Sequence, residues 1–110
     1  IGDSGGPETS GYASGCVLTN TPASATSTAG FIITQATIAA NNYRGTVELC
    51  IEDATNFVWV SKGTFYDNDT NVHVSAGTGA TTATLDRVRI TTVGGTDTFD
   101  AGAINIQYER

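Results

Sequence analysis

Cations are scarce in this chain. Only five of its 110 residues are Lys or Arg, against eleven Asp and Glu, which leaves a net charge of −6. Affinity for a phosphate backbone rests on cationic neutralisation, so nucleic acid is not an expected partner, and neither is an anionic membrane surface. Histidine is rarer still: His73 stands alone, without a second His or a paired-cysteine spacing to complete a metal site. No apolar run approaches the ~20 residues that a membrane-spanning helix requires, so membrane insertion is not expected. Methionine is absent and the chain starts at Ile1, which suggests a processed chain or a fragment of a longer polypeptide. Charged residues make up 15% of the total, below the roughly 25% of ordinary soluble domains.

Thr, Ser, Asn, Ala and 13 Gly fill the gap. That mixture suits short strands joined by turns and supports helices poorly. It also suits extracellular or particle-surface proteins, which stay soluble through hydroxyls and amides. With 39% hydrophobic residues, the chain holds about one domain's worth of core and needs no metal or cofactor to fold. Cys16 and Cys50 are the two cysteines. They would be bonded after maturation in an oxidising compartment and free after assembly in a cytoplasm, and the sequence leaves both open.

Residues 1–10 are rich in Gly, Ser and Pro and read as a flexible lead-in, with a single domain over 11–110. Gly11 to Leu18 reads as a first strand, Thr19 to Gly30 as a loop and Phe31 to Ala39 as a strand, with a turn at Ala39 to Asn42. Arg44 to Glu52 alternates, with Val47, Leu49 and Ile51 inward and Glu48 and Glu52 outward. Asp53 to Asn56 reads as a hairpin turn, and Phe57 to Thr64 as the return strand. Thr70 to Ser75 follows as a strand that exposes His73, and Gly77 to Thr82 as a loop. The closing segments Leu85 to Val93 and Gly102 to Glu109 alternate strictly, Val88 and Ile90 in one, Ile104, Ile106 and Tyr108 in the other. A bend at Phe99 to Gly102 separates them, where Asp100 can bond backbone amides and Gly102 can take a positive φ. About eight short strands and no convincing helix predict an all-β class: an antiparallel β-sandwich, jelly-roll-like.

Two strings invite comparison with known families. Gly2-Asp3-Ser4-Gly5-Gly6-Pro7 resembles the segment around the nucleophilic serine of chymotrypsin-like proteases. That family places its histidine and aspartate before the serine, whereas His73 comes after Ser4. A glycine-rich lead-in is the better account, and no enzyme is expected.

The second string is longer. Arg89-Ile90-Thr91-Thr92, then Gly95-Thr96-Asp97-Thr98-Phe99-Asp100-Ala101-Gly102, then Ala103-Ile104-Asn105-Ile106-Gln107-Tyr108-Glu109 resembles the closing strands of small β-sandwich domains in tailed-phage virion proteins. Such domains occur in tail fibres, spikes and capsid decoration proteins. Gly45-Thr46-Val47-Glu48-Leu49 is similar to their middle strands, and the likeness runs loosely from Gly30 to the end. The resemblance implies a non-enzymatic structural or adhesion domain on the particle surface. It would form a homo-oligomer, commonly a trimer, joined to other virion proteins and able to contact a host-surface glycan.

Candidate binding residues are Phe57, Trp59 and Tyr66. Phe57 and Trp59 share one face of their strand while Val58 and Val60 supply the inward one, so the aromatic pair needs a cover: a loop, a subunit or a sugar ring. Asp67, Asp69 and Asn71 are weak metal candidates, because oxygens at alternate positions resemble the start of a calcium loop. An EF-hand is excluded, since Val72 stands where glycine is needed and Thr78 where glutamate is needed. An irregular site with Asp97 or Asp100, or a plain Asn/Asp turn, remains. The alternative function is a secreted carbohydrate-binding module using Trp59, Tyr66 and the loop from Asp67 to Asn71.

Overall fold

β-branched and small residues in alternating runs form seven strands among the described residues. A computed structural model describes residues 1–35, 38, 40–93, 95–96 and 98–109. The strands are β1 (Gly2–Asp3), β2 (Gly6–Pro7), β3 (Ala13–Leu18), β4 (Ser24–Ser27), β5 (Tyr43–Asp53), β6 (Val58–Asp67) and β7 (Val72–Ala80). β1 and β2 form a small two-stranded sheet; the others form a five-stranded sheet in the order β4-β3-β7-β6-β5. Every pairing is antiparallel. The class is all-β, with two antiparallel sheets packed as a sandwich. No helix among the described residues is long and apolar enough to cross a membrane.

β5, β6 and β7 form a meander, and its first hairpin is the longest. Tyr43 pairs with Asp67 at one end and Ile51 with Trp59 at the other, with a bulge between Ile51 and Asp53. The Asp53 side chain closes the turn by accepting from the Thr55 and Asn56 amides at 2.8 and 3.2 Å. Phe57 ends that turn at φ 53°, an uncommon conformation for a bulky side chain. It therefore lies outside the alternation of β6.

The inner face of the sheet is floored by small residues. Ser61 and Gly63 on β6, Ser75, Gly77 and Gly79 on β7, and Ser14 on β3 share it. This floor receives two aromatic rings. A Cβ on Gly79 would come within 2.6 Å of the Tyr12 ring, and one on Gly77 within 3.0 Å of the Phe31 ring. Those rings meet edge to face, with centroids 5.0 Å apart. Residues 31–35, expected as a strand, form a strap across the β3 and β7 half of the face. The Ile32 amide donates to Ser14 Oγ at 2.9 Å, and the Gln35 amide donates to His73 Nδ1 at 3.1 Å. A strap fits where a strand does not, because its amides bond to side chains of the floor. Ala36, Thr37 and Ala39, in the rest of that expected strand, lie outside the described residues.

Four further expectations change. The loop expected over Thr19 to Gly30 contains β4, which pairs with β3. The lead-in is tied down: Gly2 and Asp3 are buried, and Tyr12 Oη donates to Ile1 O at 3.2 Å. Val58 and Val60 lie on the outer face, and Trp59, half-buried, on the inner one. The loop expected at Gly77 is the second half of β7, which continues to Ala80.

The largest departure is the closing stretch. Neither Leu85–Val93 nor Gly102–Glu109 forms a strand among the described residues. One bridge, Gly2 to Arg87, ties the first to β1. Alternation specifies which side chains can share a buried face, but a strand exists only beside a neighbour that takes its hydrogen bonds. The bend between the two segments is as expected, with Gly102 at φ 148°.

The glycine floor sets a stability test. Gly79→Val should cost about 1–3 kcal/mol by overpacking Tyr12. Gly30→Ala, at a position with open space, should stay within about 0.5 kcal/mol. Urea denaturation followed by Trp59 fluorescence measures both, and equal midpoints would remove the packing role given to Gly79.

Candidate functional site

The protease-like string forms a clamp. Asp3 Oδ2 accepts from the Thr82 amide at 2.9 Å, the Thr82 hydroxyl at 2.7 Å and the Ala83 amide at 2.8 Å. Oδ1 accepts from the Gly5 amide at 2.8 Å. The Thr82 hydroxyl first, then the Gly5 amide, hold this carboxyl below its ordinary pKa, against the opposing effect of burial. Ser4 is exposed at the tip, and the carboxylate beside it is fully committed to joining β1 to the end of β7.

At the other end of the sheet lies a polar knot. Asp67 and His73 are each 1% exposed, so the histidine expected on the surface is buried. His73 Nδ1 accepts from Gln35, so its proton sits on Nε2, which donates to Asp67 Oδ2 at 3.1 Å. Tyr43 packs edge to face on the imidazole at 5.7 Å. Asp67 Oδ1 accepts from the Asp69 and Asn71 amides, both at 3.0 Å, and Oδ2 from Asn71 Nδ2 at 3.1 Å. Burial opposes ionisation of this carboxyl. The bonds from Asn71, His73 and Asp69 outweigh it and hold the pKa down to about 2. The imidazole has no free lone pair for proton transfer, so the pair is a brace.

The turn after Asp67 latches two loops. Asn41 Nδ2 donates to Asp69 Oδ2 at 2.8 Å, and the Asn42 amide donates to Asn68 Oδ1 at 2.8 Å. Asn20 Nδ2 donates to Asn71 Oδ1 at 2.9 Å. The three metal candidates, Asp67, Asp69 and Asn71, are thus all engaged as acceptors within the protein. Among the described residues no group of three or more His, Cys, Asp or Glu is placed to hold a metal ion. Asp97 lies outside the described residues.

The aromatic candidates separate. Trp59 and Tyr66 occupy opposite faces of β6, seven residues apart, or roughly 23 Å along a strand. Phe57 sits in the turn. No single pocket gathers them. Tyr66 alone borders a small depression of about 150 Å³ with Asn42, Arg44 and Asn68.

What the sequence missed is an open surface. Val47 and Ile51, on the inner face of β5, are 40% and 47% exposed because the strap covers only the other half. Val88, Ile90, Phe99, Ile104, Ile106 and Tyr108 are all exposed, Tyr108 at 77%. The signal was present as alternation without an evident partner strand. Cys16 is buried on the inner face and Cys50 exposed on the outer face, and both are free thiols. Neither a family model, nor a curated protein, nor a solved structure matches this chain.

Asp67 has a clear pH signature. Its folded pKa lies below the ordinary 3.8, so its contribution to stability is full above the unfolded value and is lost as pH falls toward about 2. Asp67→Asn should lower Tm at neutral pH and flatten the fall of Tm between pH about 4 and about 2. A residual slope from Asp3, Asp53 and Asp86, whose pKa values are also lowered, should persist. An unchanged acid limb in thermal melts would show that Asp67 is not a brace.

Proposed function

We propose that this chain is a non-enzymatic structural module of a phage-type virion, working through assembly with copies of itself and with other particle proteins. It would belong to a fibre, a spike or a capsid decoration on the particle surface and form a homo-oligomer, with a trimer favoured by the resemblance of the closing stretch.

One observation carries the assembly reading. The accessible surface is 7609 Å², whereas a folded monomer of this mass should expose about 5,700 Å². The surplus of roughly 1,900 Å² exceeds the about 800 Å² that one partner contributes to a standard interface. Val93, Phe99, Ile104, Ile106 and Tyr108 are each more than 60% exposed, and only Tyr12 and Cys16 are buried hydrophobic residues among those described. A chain with so little buried apolar surface gains stability by covering the rest against a neighbour. The commitment of Asp3 and His73 to structural bonds supports a non-catalytic role.

A second reading rests on the depression beside Tyr66. Its exposed ring, with Arg44 and two amides, offers a stacking surface and hydrogen bonds to a sugar, as a carbohydrate-binding module or a host contact would require.

Sedimentation velocity at micromolar concentration should give an oligomer with Trp59 fluorescence shielded from acrylamide. A monodisperse monomer with Trp59 fully quenched would overturn assembly. A glycan array run with and without calcium tests the second reading: binding abolished by Tyr66→Ala supports it, and no binding under either condition removes it.

A further inference from the structure

We propose that the stretch Arg87–Thr91 of one copy adds as a strand to the open β5 edge of a second copy. The inference rests on the assembly reading above and names the surfaces that meet. Successive residues of an antiparallel strand turn their peptide groups alternately to its two sides. The Thr81 amide donates to Phe57 O at 3.2 Å, and the Asp67 amide to Asn71 O at 3.0 Å, so odd-numbered β6 residues face β7. The even ones, Val60, Lys62 and Thr64, face β5, opposite Cys50, Glu48 and Thr46. Val47, Leu49 and Ile51 are therefore left to present their N–H and C=O groups to the open edge. Their side chains lie on the half of the inner face that the strap leaves uncovered.

The closing stretch has the same construction. Gly2 N donates to Arg87 O at 3.0 Å, and Gly2 O accepts from Asp86 N at 3.1 Å and Arg87 N at 3.3 Å, so the stretch meets β1 at residues 86 and 87. Extended as a strand beyond that contact, Val88 and Ile90 would turn their peptide groups away from β1, and neither makes a backbone hydrogen bond among the described residues. Both edges thus offer hydrogen bonds from residues whose side chains are apolar.

Charge selects the register. In antiparallel pairing with Val88 opposite Leu49 and Ile90 opposite Val47, Arg89 faces Glu48. Arg87 then faces Cys50, with Glu48 and Glu52 on its diagonals. Sliding two residues one way would set Asp86 against Asp53 and meet the bulge after Ile51, where regular pairing ends. Sliding two the other way sets Arg87 against Glu48 but Ile90 against Gly45, which has no side chain to pack on. Arg87 and Arg89 are the only two cations at alternate positions in the sequence; Arg87 is paired with Asp86 at 2.6 Å, so Arg89 is the one that carries the register. Glu48 and Glu52 are exposed on β5, and the ion pair of Glu48 with Lys62 at 3.1 Å is solvent-facing.

The occupant is a second copy. Asp3 clamps β1 beside Thr82 and Ala83, and Gly2 holds Arg87 there, next to the end of β7. The open edge lies beyond β6. The surplus surface is large enough for each chain both to donate a strand and to accept one, which closes a ring of two or three copies.

Charge reversal on the full chain tests this, because both residues are exposed and neither holds the fold. Arg89→Glu and Glu48→Arg should each weaken self-association about ten-fold or more in sedimentation velocity. The double variant, which swaps the two charges in every copy, should restore it. Self-association that ignores either reversal, or that the double variant fails to regain, overturns strand addition and leaves the assembly reading intact. A wild-type chain that stays monomeric overturns both.

Discussion

A five-stranded sheet has two faces and two edges to satisfy, and the strap among the described residues covers one side of one face. That shortage governs the rest of the structure. The strap of residues 31–35 and the Tyr12 ring fill the β3 and β7 half of the inner face, bolted by the Ser14 hydroxyl and the His73 imidazole. Among the described residues the strap does not continue beyond β7. Val47 and Ile51 then stay accessible on a strand of 11 residues whose outer edge is unpaired. Long, flat, apolar edges of this kind pair readily, so natural proteins cover or charge them. Glu48 and Glu52 charge this one. They discourage a second β5 from pairing with it and favour a cationic strand.

The buried polar groups have a related origin. A floor of Gly and Ser offers little apolar area, so the two ends of the sheet are fixed by carboxylates instead. Asp3 gathers four donors and Asp67 gathers four, each satisfied by amides, a hydroxyl, a side-chain amide or an imidazole. Buried polar networks of this type are costly when half-satisfied and rigid when complete. Both are complete at the carboxylate, and both sit where loops must be held to strand ends. The features that look most like chemistry in the sequence, a serine-protease string and an acidic loop with a nearby histidine, are therefore fastenings.

Much of the fold was legible in advance. The hairpin of β5 and β6, the turn at Asp53 and the positive φ at Gly102 followed from alternation and from the special roles of Asp, Asn and Gly. The inward set Val47, Leu49 and Ile51 was also correctly placed on one face. The faces of Val58 and Trp59 were exchanged, because both residue types suit a buried strand face and alternation alone does not say which set faces the strap. His73 was misplaced for a related reason: its neighbours Val72 and Val74 are apolar, yet they face outward, and the imidazole takes the inner position to bond Asp67 and Gln35.

The sequence by itself determined the class, the strand-and-turn grammar and the acidic, cation-poor surface, because these depend on local spacing, backbone preference and composition. The tertiary structure decided which strands exist and which residues are covered. A strand requires a partner, and burial requires an opposing layer, and both are contributed by segments distant in sequence. Leu85 to Glu109 shows the division. Its alternation is fixed by its residues, but its one strand bridge among the described residues is Arg87 to Gly2, so alternation alone did not make it a strand.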